Sequence, residues 1–433
     1  MTNLIKKRLF SYAEIHLHKA SNLLHEIKND PSRLDIVLEL QRFLIRRIVK
    51  TEARVLRLRR KRKHFASQVG QRMTPAKKEA KKFGLSAMHA REKQLLHLLF
   101  LWRCFGDGIA FLYQSKYSLK HTFYNSEYKP KESAGFMTEH GKLKKGFACE
   151  YRILIKGIKH KVPVVLCDLT NIICYGDVCA MGEDDPLCIE VKSSVIRDAR
   201  AEKQLKQLDE LANFYANDGA PFFRGNVNVQ RRELHLPEVD HRVLLNSCID
   251  AGLATGLSIV TPEKGLTYIV CSDPATLKPE LLEVRKATTF YALTARPDYL
   301  PSFPFSLSMS PDNCVAFMQD RFTLLVLVDL QELKSEFAKH GVIATMLMNG
   351  VHAIQITKTP DNLMMGVFRI SEQLLGRVAT EFMSAQWFAD EYSRIFDEHP
   401  SNLVKSDDVL NIPGVITSPL PGWDSVVDCW EKN

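Results

Sequence analysis

The feature that most restricts the fold of this chain is a change in the spacing of its apolar residues near residue 146. Before that point they recur every three, four or seven positions, which places them on one face of a helix. After it come short runs rich in Val, Ile and Cys, which favour strands. The helical stripe comprises Val37, Leu40, Leu44, Ile48, Val55 and Leu58. A chain of 433 residues with both patterns predicts two or three domains of different classes.

The N-terminal part predicts a helical, coiled-coil-like domain over residues 1–114. Asp30-Pro31 and Thr74-Pro75 each supply a capping residue followed by proline at the first helical position. The stripe between them suits a helix hairpin or a coiled coil, so self-association through these helices is one possible use. Residues 115–145 are polar and predict a connector.

The middle part, residues 146–220, predicts an α/β core in the order helix, three strands, helix. Phe147–Ile158 and Ala199–Tyr215 have helical spacing, and the β-rich runs between them are PVVLCDL, NIICYGDVCA and LCIEVKSS. Residues 221–433 predict an α+β domain of unknown role. Its elements are a helix at Arg242–Ala254, a hairpin in LSIVTPEKGLTYIVC, a strand leading into a helix in TLLVLVDLQELKSEFAKHG, and a closing helix at Ser371–Phe396 capped by Ser371.

Charge is distributed unevenly along the chain. Residues 1–85 hold 22 Lys and Arg against 7 Asp and Glu, whereas the remaining residues hold 37 against 43. A basic arm on a slightly acidic body usually meets nucleic acid or an anionic surface. The strongest basic run consists of Arg54, Arg57, Arg59, Arg60, Lys61, Arg62 and Lys63. Because this run does not mix signs, phosphate binding is favoured over self-association or a membrane surface.

Several classes of protein are not expected. No stretch reaches the 18 or more apolar residues of a membrane span, and the N-terminus lacks the apolar region of a signal peptide. Ten cysteines without a Cys-x-x-Cys pair predict reduced thiols in a cytoplasmic protein. The absence of G-x-x-x-x-G-K-[S/T] means that any ATP dependence would come from a protein partner.

One Glu-x-Lys tripeptide stands apart from the other four in this chain. Only Ile189-Glu190-Val191-Lys192 lies in a β-run, where alternation aims Glu190 and Lys192 at one face. Upstream, Asp177 precedes a turn and then this strand, so the two strands are expected to pair as a hairpin. If Asp177 faces Glu190, the same register places Cys179 opposite Cys188. Two carboxylates at close range suit Mg²⁺, and the adjacent lysine suits water orientation or charge stabilisation.

These residues carry a resemblance. Gly-Asp, twelve residues, Glu-x-Lys and then a helix bearing Gln resembles the PD-(D/E)XK nuclease superfamily over about residues 146–216, with Gly176 where the name-giving proline would stand. The resemblance implies that Asp177 and Glu190 ligate Mg²⁺ or Mn²⁺ and that Lys192 assists attack. It also implies a further metal ligand on the preceding helix, Glu150, and a positioning Gln on the following one, Gln204. Asp168 is interpreted as a strand-end residue.

From this the sequence predicts a Mg²⁺-dependent endonuclease, with DNA favoured over RNA and a role in anti-phage defence implied by the resemblance alone. Two alternatives stay open. One is a non-catalytic subunit that binds nucleic acid or a protein partner and retains the fold; the other is a structural adaptor built on the N-terminal helices.

Overall fold

The computed structural model divides the chain into two compact units, Met1–Glu233 and Leu234–Asn433. The structure describes residues 2–67, 75–123, 135–191, 199–231, 234, 236–273, 276, 289–296 and 303–398. It confirms the mixed composition expected for the chain, with a helical N-terminal region followed by small antiparallel sheets. The predicted boundaries after residues 114, 145 and 220 differ from this division: the first unit contains the helices, the connector and the predicted core together.

Three long helices open the first unit: α1 (Thr2–Asn29), α2 (Leu34–Ser67) and α3 (Pro75–Tyr113), followed by the short α4 (Lys116–Phe123). The three long helices pack against one another. The predicted apolar stripe is confirmed, because all its members from Val37 to Val55 are buried and only Leu58 is partly exposed. In α3, Trp102 and Phe105 are fully buried.

The order helix, three strands, helix is also confirmed, with shorter strands than predicted. Helix α5 (Phe147–Lys159) precedes β1 (Val164–Leu166), β2 (Val178–Ala180) and β3 (Leu187–Ile189), and α6 (Ala199–Ala216) follows. The strands form one antiparallel sheet in chain order. A 3₁₀ turn at Cys167–Leu169 ends the first run after three strand residues. Strands β4 (Gly219–Phe223) and β5 (Asn226–Gln230) form a separate hairpin.

Side chains of the long helices hydrogen-bond to the sheet region, which is why the two do not form separate domains. The buried amide of Gln41 donates to the carbonyl of Val164 at 2.7 Å and accepts from the amide of Leu166 at 3.2 Å. Arg42 Nε donates to the hydroxyl of Tyr151 on α5 at 2.8 Å. Buried polar groups need such partners, so removing the helices would leave the β1 backbone unsatisfied at this point.

The second unit contains two antiparallel sheets. The first is built from β6 (Leu257–Glu263), β7 (Leu266–Cys271), β8 (Thr289–Leu293) and β9 (Thr323–Val328), in the order β6-β7-β9-β8; the second is built from β10 (Ile343–Met346), β11 (His352–Thr357) and β12 (Phe368–Ser371). The helices are α7 (Arg242–Thr255), α8 (Phe305–Ser308), α9 (Pro311–Met318), α10 (Leu330–Lys339), α11 (Glu372–Thr380) and α12 (Ala385–Glu398).

The predicted helix, hairpin and strand–helix pair of this unit are confirmed, but the predicted closing helix at Ser371–Phe396 is wrong as one element. Ser371 does cap a helix, since its hydroxyl accepts from the amide of Leu374. That helix ends at Thr380, and α12 begins at Ala385. Between them Phe382 has φ +60 and a fully buried side chain. Burial of this ring in the core outweighs the continuous helical spacing.

Candidate functional site

The β2–β3 hairpin determines where the two predicted acids lie. Its strands pair with Cys179 opposite Cys188, which confirms the register predicted from the spacing of Asp177 and Glu190. Asp177 immediately precedes β2 and Glu190 immediately follows β3, so both stand at the same end of the hairpin. The nine cysteines in the described part of the chain are free thiols, and a hydrogen bond with Cys188 together with burial raises the pKa of the Cys179 thiol.

Backbone contacts on both sides fix the position of Asp177. Its carbonyl accepts from the amide of Cys167 at 2.9 Å, and its amide donates to the carbonyl of Ile189 at 2.9 Å. Its carboxylate Oδ2 accepts from the amide of Val191 at 2.8 Å. The Asp177 side chain is therefore oriented by the strand end that carries Glu190.

Gly176 explains the departure from the Pro-Asp pattern. Its φ is +68, a conformation that favours glycine, and a Cβ at this position would lie 2.7 Å from the carbonyl oxygen of Ile189. Proline requires φ near −65° and carries a Cβ. The tight approach of this turn to β3 thus excludes proline and selects glycine.

Glu150 is close enough to these acids for their charges to affect its pKa, and its role as a metal ligand stays a prediction. It stands in the first turn of α5 and is 7% exposed. Burial, followed by the charges of Asp177, Asp168 and Glu190, raises its pKa to about 7, while the charge of Lys144 acts in the opposite direction. Burial is the largest cause, and it also reduces the screening of the neighbouring charges. Glu150, Asp177 and Glu190 therefore share one region of the molecule.

Lys144 and Asp168 also lie in this region. The sequence predicted no chemical role for either of them. Lys144 Nζ lies 2.9 Å from Asp168 Oδ2. Asp168 stands in the 3₁₀ turn that ends β1, in agreement with its interpretation as a strand-end residue. Lys144 belongs to the stretch predicted as a polar connector and forms part of no motif. Only the fold reveals its proximity to the carboxylates.

A partly buried glutamate of α2 holds the segment that carries Lys144. Glu52 accepts from the amides of Phe136 and Met137 at 3.1 and 3.0 Å, and Arg103 Nη2 lies 3.5 Å from its other oxygen. Met137 pairs with Leu143 in an antiparallel bridge, which turns the chain back towards α5. This anchor connects the helices of the first unit to the acidic region.

For the remaining predicted site residues, Gln204 and Lys192, no contact with the acids is described. Gln204 is partly buried on α6, whose buried face includes Leu211, Phe214 and Tyr215. The approach of Gln204 to the acids stays a prediction. Lys192 lies outside the described residues, so its predicted role also stays a prediction.

The carboxylates of this region could hold a hard cation that takes few of its ligands from the protein. Within the described residues, no group of three or more His, Cys, Asp or Glu side chains is arranged to hold a metal ion. Mg²⁺, however, is commonly held by one or two carboxylates together with phosphate and water. Asp177 and Glu190 fit that mode, with Glu150 as an outer oxygen donor.

The predicted basic run lies on α2 and divides into two groups. Arg59 Nε lies 2.6 Å from Oε1 of the buried Glu92 on α3, and Arg62 pairs with the other oxygen of the same carboxylate. Arg60 donates to the carbonyl of Glu139 at 3.0 Å. Arg57, Lys61 and Lys63 are exposed, and Arg54 is partly exposed. Arg59 and Arg62 thus hold two helices together, which the run itself did not indicate.

Helix α3 is long and apolar enough over Ala76–Tyr113 to cross a membrane by length and composition alone. Of its most apolar segment, 72% is buried inside the protein. Buried core helices pass the same test, so this helix does not decide between a membrane and an aqueous environment.

Comparison with protein-family models, with curated proteins and with solved structures finds no match to this chain. The function of the candidate site therefore has to be inferred from its own residues.

Proposed function

We propose that this chain is a Mg²⁺- or Mn²⁺-dependent nuclease that hydrolyses phosphodiester bonds at the end of the β2–β3 hairpin. The observation that carries the proposal is the position of Asp177 and Glu190 at the same end of this hairpin, with Glu150 close enough for their charges to raise its pKa. Asp177 and Glu190 reach this end through the strand register, and Glu150 stands in the first turn of α5. Neighbouring carboxylates repel one another, and this repulsion adds to burial in giving Glu150 a pKa of about 7. Such a costly arrangement is typical of functional sites.

Each residue has a distinct proposed role. Asp177 and Glu190 would hold the cation, with Glu150 as an outer ligand. When bound, the cation would lower the pKa of its water and offset charge on the reacting phosphate. Lys192 orients the attacking water, and Gln204 positions the phosphate. Hydrolysis adds the water oxygen to phosphorus, and the leaving sugar oxygen departs with a proton.

The proposed substrate class is inferred from the basic residues of α2 and from the resemblance. The basic residues of α2 provide phosphate contacts in the same unit, which supports a nucleic-acid substrate. DNA and a role in anti-phage defence rest on the resemblance to PD-(D/E)XK nucleases alone. The proposed partner is therefore nucleic acid, with DNA ahead of RNA.

The test compares wild type with Glu190→Ala on plasmid DNA, linear DNA and RNA, in Mg²⁺, Mn²⁺, Ca²⁺ or chelator. Glu183→Ala is the matched control, because Glu183 is exposed in the turn of the same hairpin. We expect cleavage by wild type and by Glu183→Ala in Mg²⁺ or Mn²⁺, and none in chelator or by Glu190→Ala. Equal cleavage by wild type and Glu190→Ala would show that this site is not the catalyst.

A second function is favoured by one observation: in the described part of the chain no third ligand completes a metal group. A non-catalytic subunit that binds nucleic acid would need only the basic residues. Nucleic-acid binding without cleavage by any of the three proteins, under every metal tried, would establish this second function in place of the first.

A further inference from the structure

The tips of α2 and α3 form a two-helix arm, which comprises residues 56–67 and 76–91. Val55 and Glu92 are buried, whereas no side chain within the described arm is. At 1.5 Å per residue the twelve residues of the α2 part extend about 18 Å. The arm therefore exposes most of its side chains to solvent, although helices usually bury one face.

Contacts at two levels hold the two helices of the arm together. At its base, Glu92 binds both Arg59 and Arg62. Further out, Lys81 Nζ donates to the carbonyl of Ala66 at 3.1 Å and lies 5.9 Å from the centre of the Phe65 ring. These contacts occupy the face of each helix that is turned towards the other, so the charged groups used in them serve the structure of the arm.

A second basic row lies on α3 and was not predicted from the sequence. Lys78, Lys82, His89 and Lys93 are separated by four, seven and four residues, which places them on one face of the helix. All four are exposed. His89 Nδ1 lies 3.1 Å from Arg62 Nη1, so this row runs beside the basic run of α2.

The charge of this surface selects the kind of partner. From Arg54 to Lys93 the sequence holds 14 Lys and Arg but only two acidic residues, Glu79 and Glu92. A second copy of the arm would be repelled. Binding within a membrane interface needs an apolar face, and Phe83 is the one large apolar side chain of the described arm residues that is strongly exposed. A polyanion fits this surface.

We infer that the lysine row of α3 and the part of the α2 basic run that lies beside it form one phosphate-binding surface that holds the backbone of double-stranded nucleic acid without reading its sequence. Two adjacent helices, each about 10 Å across, are wider than the major groove, which admits a single helix. The arm is therefore expected to contact phosphates and not base edges. This inference rests on the nucleic-acid partner of the proposed function but not on cleavage.

The experiment removes the α3 row from the full-length chain as Lys78→Gln, Lys82→Gln and Lys93→Gln together. The control is Lys156→Gln, Lys159→Gln and Lys161→Gln, which removes the same charge from exposed lysines at the end of α5. Binding to 30-base-pair duplexes of two unrelated sequences is measured in chelator at several salt concentrations. Circular dichroism checks that both variants fold as wild type does.

We expect the α3 variant to bind both duplexes about tenfold more weakly. Its salt dependence should be flatter by about 0.9 for each phosphate that the variant no longer binds, and the control should stay within twofold of wild type. Equal losses of affinity in the two variants would reduce the effect to net charge and overturn the inference. Absence of duplex binding by wild type, or stronger binding to phosphatidylserine vesicles than to duplex, would also overturn it. Duplex binding as expected without cleavage in Mg²⁺ would leave the arm established and reject the nuclease.

Discussion

At the scale of single residues, Glu150 shows that the proposed site lowers the stability of the folded protein. This residue is 7% exposed, and the charges of Asp177, Asp168 and Glu190 act on its carboxyl group. A carboxyl group in such a place prefers to be neutral, so burial and repulsion raise its pKa from 4.5 to about 7. Binding of a divalent cation would favour the charged form. The folded protein thus holds a group that is unfavourable for stability and that, under the proposed function, is useful for metal binding.

This predicts that Glu150→Gln stabilises the protein above neutral pH. The folded-state pKa exceeds the unfolded value, so ionisation of Glu150 favours unfolding as pH rises from about 4.5 to 7. The variant lacks this penalty and should gain on the order of 1 kcal/mol in unfolding free energy at pH 8. At pH 4 the gain should vanish. Urea unfolding at both pH values measures the difference, and an equal effect of the variant at pH 4 and pH 8 would contradict the prediction.

The same substitution should weaken the proposed metal site. An outer donor is worth about 10- to 100-fold in metal affinity or activity. If both results are observed, Glu150 lowers stability and supports the proposed function, whereas a residue that serves only the fold would not have these opposite effects.

At the scale of elements, the β2–β3 hairpin depends on how closely the turn before β2 approaches β3. Gly176 has φ +68, and a Cβ on it would meet the backbone of Ile189 at 2.7 Å. The amide of Asp177, the next residue, donates to the same Ile189 carbonyl. Any displacement of this turn therefore moves the Asp177 carboxylate away from Glu190.

We predict that Gly176→Ala destabilises the protein by about 2–3 kcal/mol and reduces any cleavage activity. Part of the effect comes from the backbone conformation and part from the clash. Gly341→Ala separates the two causes, because Gly341 has φ +66 and a Cβ added to it would meet no atom within 4 Å. This control should lose only about 1 kcal/mol of unfolding free energy. Chemical unfolding of both variants tests this, and equal losses would mean that the approach to Ile189 is unimportant.

At the scale of the whole molecule, the chain forms two units with separate cores. The first combines helices α1–α6 with the small sheet and the β4–β5 hairpin, and it contains every described residue of the proposed site. The second contains a four-stranded and a three-stranded sheet, with buried residues such as Tyr268 and Phe388. The proposed chemistry and the basic arm therefore belong to the first unit alone, and the second has no assigned role.

We predict that residues 1–233 and 234–433 fold when expressed as separate chains. Each unit has its own buried core, and domains with that property fold independently. Circular dichroism and cooperative thermal unfolding of each fragment test the division. An unfolded first fragment would contradict it, whereas a folded first fragment should retain duplex binding by the arm.

The sequence alone determined the local features of this protein. Alternation predicted a third strand that runs through Glu190, whereas β3 ends at Ile189. Helical spacing identified α2, and the distance between Asp177 and Glu190 predicted the register that pairs Cys179 with Cys188. These predictions succeeded because helix and strand periods are set by neighbouring residues. The predicted helix across Phe382 failed because burial in the core overrode the local pattern.

The tertiary structure decided which distant residues meet. It brought Glu150 near the acids of the hairpin, paired Lys144 with Asp168, joined Gln41 to the backbone of β1, and paired Arg59 and Arg62 with Glu92. Gln41 and Val164 are 123 residues apart. Such pairings depend on how whole elements pack, and the sequence of one segment does not identify the distant segment that it contacts.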